Sequence, residues 1–301
     1  MIDWRAAVTW VPSLGGSVRD MRRGLHATWR VPLARLNTRF ARSTTTDVPW
    51  TWADAGAALL WTAALTVGGV LGLILFRLLL SLLFTVASAT GRVRAGAFDQ
   101  LTRALQPYVV AATLLLLGGM LCCAVLYGIY RCAVRPYQLA WSALYFRGAG
   151  RRVYAMVALL FIPISVAGAV VLQVESRVLG APVHNPQIAL LTREMPALPL
   201  NFLLLFLLLA VLMPVAEETV FRAFVYRLLR TRLPVWAAAT MSAAAFAVLH
   251  GVPVLMPWFF FMGLVFALVV EKTQSIYSSM ILHSMANVLA LLGLIAVMYN
   301  W

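Results

Sequence analysis

The chain has 301 residues, 62% hydrophobic and 11% charged, with a formal net charge of +14. Several uncharged runs exceed the roughly 18–20 residues that cross about 30 Å of hydrocarbon, which excludes an ordinary soluble globule. The runs are continuously apolar rather than alternating, so a β-barrel is excluded as well.

The fold class that follows is all-α, a polytopic transmembrane helical bundle of seven to eight spans. The basic balance is almost all arginine, Lys272 being the single lysine. In such a chain it fits loops facing anionic lipid rather than a nucleic-acid partner. Cys122, Cys123 and Cys132 sit in or beside one apolar segment without metal-ligand spacing, and they read as packing residues.

Residues 1–52 form a basic, poorly periodic tail, expected in the cytoplasm or on the membrane surface. No apolar stretch near Met1 suggests a signal peptide. Seven hydrophobic segments follow, at 53–89, 107–130, 153–174, 199–230, 235–250, 254–270 and 276–298. The first is long and carries Arg77, so it is expected to be tilted or broken, with room for an eighth span. Arginine and lysine counts in alternate loops place the amino terminus in the cytoplasm and Trp301 outside, under the positive-inside rule. Residues 53–198 then hold the first helices and loops, and 199–298 a separate core. The loop "GAPVHNPQ" is turn-rich.

Ionisable and strongly polar groups within apolar segments cost free energy and tend to mark function. Here they gather in the last third: Glu217, Glu218, Arg222, His250, His283 and Asn287. Glu218 and Arg222 are four apart and share a helix face, so they can pair. Glu217 is rotated by about 100° and has no cation three or four residues on. His283 and Asn287 also stand four apart. Counted from the hairpin Arg230–Pro234, Glu217 and His250 lie roughly 20 and 24 Å deep, so they are nearly level on antiparallel neighbours. Gly251 and Pro253 end the fifth segment just after His250.

Three patterns occur in order: EExxxR at Glu217–Arg222, FxxxH at Phe246–His250 and HxxxN at His283–Asn287. Together they resemble the CPBP family, the CAAX proteases and bacteriocin-processing enzymes also called Abi. The likeness covers about residues 199–298. It implies an intramembrane endopeptidase in which Glu217 is the base, His250 helps orient the water, and His283 and Asn287 form the oxyanion side. Glu218, Arg222 and Phe246 are then structural support.

The same residues admit a metal reading, in which Glu217, His250 and His283 would hold a zinc ion. The reading preferred here uses no cofactor. The implied partners are a peptide or protein substrate at the membrane, of prenylated or leader type, and the lipid bilayer. A bacterial plasma membrane is the expected location. The alternatives are a catalytically silent scaffold or immunity-type protein of the same fold, and a proton-coupled transporter.

Overall fold

The computed structural model describes residues 48–94, 96–180, 183 and 185–300, and everything described is helix, turn or loop. Readings of the tail before Val48 lie outside the described residues. The end of that tail does not stand apart, however. Val48 and Trp50 are buried, and Trp50 stacks on Phe224 at 5.6 Å.

Helix α1 runs from Trp52 to Ala89. Thr51 and Asp54 close a capping box at its start, and Tyr137 donates to the same carboxylate at 2.8 Å. Arg77 does not break it: α1 is one continuous helix of 38 residues. The eighth span that the sequence allowed in this segment is therefore absent. One residue of arginine costs less than reversing the chain within hydrocarbon, where turn backbone has no water to bond.

A short α2 (Ala97–Leu105) leads through a tight turn into α3 (Val109–Ile129). Helices α1 and α3 approach closely through small residues. A Cβ on Gly128 would stand 2.6 Å from the Ala58 carbonyl oxygen. Helix α4 (Arg151–Leu179) is followed by α5 (Pro186–Glu194), which Asn185 caps by accepting from Gln187 N–H at 2.9 Å.

Helix α6 spans Pro199–Arg230. Two wider, π-helical stretches, Leu207–Leu212 and Thr219–Tyr226, interrupt it. The first ends just before Pro214, whose ring has no N–H to offer the preceding turn. At the second, the Thr219 hydroxyl donates to the Val215 carbonyl and competes with the helix ladder.

Helix α7 is short, Val235–Leu249, and ends where Gly251 takes a φ of +65°. At 1.5 Å per residue it is about 22 Å long, less than the roughly 30 Å hydrocarbon core. Among the described residues, six helices are long and apolar enough to cross a membrane, and α7 is a shorter apolar helix beside them. All seven segments read from the sequence are therefore helical, six of them long enough to cross and the fifth shorter. Helix α8 (Met256–Thr273) returns alongside α7, and α9 (Ile276–Met298) follows after Gln274 and Ser275. Gly263 of α8 makes the close approach possible: a Cβ there would lie 3.0 Å from Ala243 Cα.

The turn before α9 is tied to the loop that precedes α4. Ile276 N–H donates to the Tyr145 carbonyl at 2.9 Å, and the Ser275 hydroxyl donates to the Arg147 carbonyl at 2.6 Å. At the same end, Arg230 makes two bonds to the Glu271 carboxylate at 3.0 and 3.3 Å, joining α6 to α8. With these ends fixed, the middles of α6, α8 and α9 and the far end of α7 bring the polar residues together.

Candidate active site

Two adjacent glutamates on α6 part company in the structure. Glu218 is fully buried and Arg222 Nη1 donates to its Oε1 at 3.0 Å, the pair that the four-residue spacing predicts. Arg222 is itself buried to 0% exposure. Its Nη2 donates to the Gly263 carbonyl at 3.2 Å, and its guanidinium lies 4.3 Å from the Phe246 ring centroid and 5.0 Å from that of Phe266. Aromatic faces and a backbone carbonyl thus take the place of water around a buried cation.

Glu217 points elsewhere. Its Oε2 is buried and accepts no hydrogen bond within the protein. That oxygen stands 3.7 Å from His250 Nε2 and 3.6 Å from His283 Nε2. One carboxylate, two imidazoles and three separate helices therefore meet at one point.

The other nitrogen of each ring fixes its proton. His250 Nδ1 is 2.7 Å from the Phe246 carbonyl oxygen, which can only accept, so Nδ1 carries the hydrogen. His283 Nδ1 is 2.9 Å from Glu218 Oε1, a carboxylate paired with arginine, so it too donates. In the neutral form of each ring, Nε2 is then a bare lone pair. Three acceptors, Glu217 Oε2 and the two Nε2 atoms, face one another. Such a set is satisfied by a proton, by a water that donates, or by a cation.

The donor types are those of a catalytic zinc site. Among the described residues, however, no group of three or more His, Cys, Asp or Glu is arranged to hold a metal ion as it stands.

Ring packing holds the histidines. His250 stacks on Phe259 with centroids 4.0 Å apart, and His283 on Phe266 at 5.0 Å. Phe246 meets His283 edge-on at 5.9 Å. Phe259, Gly263 and Phe266 all come from α8, which the sequence patterns did not single out. The site is not sealed. The side chains of Glu217 and His250 are 17% and 19% exposed, while Glu218 has no exposure at all.

Asn287 stands apart from this convergence. It lies one turn beyond His283 on α9, and its Nδ2 donates to the Leu209 carbonyl of α6 at 2.7 Å.

Residues 199–289 match the family model for type II CAAX prenyl endopeptidases of the Rce1-like kind. Neither curated proteins nor solved structures give a significant match to the chain. The matched stretch includes Glu217, Glu218, Arg222, Phe246, His250, His283 and Asn287. That match, over 91 of the 301 residues, supports the likeness to the CPBP, or CAAX protease, family carried by the three patterns.

Proposed function

We propose that the protein is an intramembrane endopeptidase in which Glu217 activates a water molecule held between it and His250, with His283 on the oxyanion side. The observation that carries this reading is the unsatisfied Glu217 Oε2 facing two Nε2 lone pairs at 3.6 and 3.7 Å. A water there donates one hydrogen to Glu217 and the other to an imidazole, which leaves an oxygen lone pair free for attack. The family match supports a CAAX-type protease in general.

In the proposed reaction the water oxygen adds to the scissile carbonyl carbon while its proton passes to Glu217 Oε2. The carbonyl oxygen becomes an oxyanion. Collapse breaks the C–N bond, and the proton on Glu217 moves to the departing amine nitrogen. His250, held by Phe246 and Phe259, orients the water. The oxyanion side falls to His283, with a condition. Its Nδ1 hydrogen is already given to Glu218, so Nε2 donates in the imidazolium form, whose second proton is taken from solvent through the open side of the site before the water attacks and is kept through the reaction. Glu218, supported by Arg222, is the counter-charge for that imidazolium. Asn287 is the second donor that the family resemblance implies, but its bond to Leu209 favours a holding role.

A zinc ion, if bound, would lie among Glu217, His250 and His283 and would supply an activated water. No step above uses it. The substrate class proposed is a peptide whose scissile bond lies at the membrane, in a prenylated or leader-type polypeptide. Membranes of a bacterial cell, with the amino terminus cytoplasmic, are the proposed setting.

Cleavage of a peptide library by the purified protein tests the reading. The wild type should cut and Glu217→Gln should not, at unchanged fold. A Glu217→Gln protein that cuts at the wild-type rate would overturn the role given to Glu217, and a folded wild type that cuts no peptide would favour a non-catalytic scaffold.

A further inference from the structure

We propose that Gly168 of α4 is a positioning residue: it gives the Trp258 indole its seat, and so holds the first turn of α8, with Phe259, against His250. Gly168 is buried within α4. A Cβ there would stand 2.6 and 2.8 Å from Trp258 Cη2 and Cε3, and closer still to Cζ3. A carbon cannot approach a rigid ring so closely, so any larger residue at this position displaces the indole. Glycine weakens a helix interior, and the ring that fills its place offsets the loss. Val157, Phe161 and Ile164 continue the same face of α4, at spacings of four and three residues, and pack into the cluster that holds Phe246, Trp258 and Phe259.

The seat matters because of what stands next to it. Trp258 and Phe259 are neighbours on the first turn of α8, about 100° apart around its axis, so one faces α4 while the other faces the site. Phe259 stacks on His250 with ring centroids 4.0 Å apart. That first turn has no side-chain cap, and Pro257 within it has no N–H. Residues 251–255, which join it to α7, contain no α-helix. Side-chain packing, rather than capping, therefore fixes where the turn lies. An indole pushed off α4 carries the backbone of the turn with it, and moves the Phe259 ring relative to His250. The role rests on the proposed reading that His250 orients the water, but the seat itself can be observed without turnover.

The full chain, labelled at histidine and held in detergent micelles, provides the test. An aromatic face shields protons stacked on it, so the His250 Cε1 proton should resonate upfield of an exposed histidine, and His250→Gln assigns the signal. Gly168→Ala should move that resonance toward its position in Phe259→Leu. Peptide cleavage on the same samples should show kcat falling several-fold while KM stays within about twofold. Trp258→Phe shortens the ring instead of filling the seat, and should move both readouts in the same direction. In the double variant the added methyl meets a smaller ring. Contact between the two positions is restored, and both readouts should return toward the wild type.

An unmoved His250 resonance in folded Gly168→Ala would overturn the proposal. If that variant does not fold, an unmoved resonance in Trp258→Phe overturns it in the same way. A change confined to KM would overturn it too and place Trp258 in substrate binding. A double variant that departs further from the wild type than either single one would do the same, because no seat would then join the two positions. A wild type that cuts no peptide would defeat the protease reading instead, while the His250 resonance would still decide the seat.

Discussion

His283 Nδ1 donates to Glu218 Oε1 across 2.9 Å, and this bond turns the unprotonated nitrogen of the ring toward Glu217. The adjacent glutamates thereby have opposite relations to one imidazole. Glu218 holds the proton side, and Glu217 faces the lone pair.

The first prediction separates the two carboxylates by stability. Glu218→Gln and Arg222→Gln each strand one member of a fully buried pair, which costs about 3–5 kcal/mol. Both should lower Tm and yield sharply. Glu217→Gln should not, because Oε2 accepts no bond that the amide would lose. Equal Tm values for all three variants would contradict this division.

A second prediction concerns the α7–α8 contact. Gly263→Val places a branched side chain where a Cβ alone would meet Ala243 Cα at 3.0 Å and Phe246 at 3.3 Å. Overpacking of this kind costs about 1–3 kcal/mol. It also pushes away the carbonyl that accepts from Arg222. Thermal denaturation should show a lower Tm, with cleavage falling as well because Phe246 supports both histidines. A Val variant of wild-type Tm would show that the helices separate at no cost.

The third tests ring support. Phe259→Leu keeps an apolar side chain and removes the ring that stacks on His250 at 4.0 Å. Aromatic pairing contributes about 0.5–1.5 kcal/mol beyond area. With Tm nearly unchanged, kcat should fall several-fold while KM stays within about twofold, since the water rather than the peptide loses its orientation. A change confined to KM would place Phe259 in substrate binding.

The bundle was legible because its long helices each contain an extended apolar run, and Gly251 and Pro253 mark where one of them ends; α2 and α5, short and partly charged, gave no such signal. The Glu218–Arg222 pair was legible because both partners lie on one helix at fixed spacing. What escaped has physical reasons. Phe259 and Phe266 look like any other aromatic in an oily helix, and only tertiary packing selects them. The partners of Arg222 and Asn287 include backbone carbonyls, which every residue carries and no sequence pattern distinguishes. The π-helical stretches move later residues off the ideal period, so side chains on α6 cannot be placed by counting alone. The shortness of α7 was partly visible in Gly251, but a hydrophobic run with that ending reads equally as a complete span.

The central claim is that protein groups alone hold and activate the water. It is tested most directly by metal content and turnover measured on one sample after dialysis against chelator. The account predicts active protein with far less than one zinc per chain, and His283→Gln retaining some activity, at about 10²–10³-fold lower rate. Stoichiometric zinc, lost from His250→Ala and His283→Ala, with turnover restored only by added zinc, would contradict it. Glu217 and both histidines would then be ligands.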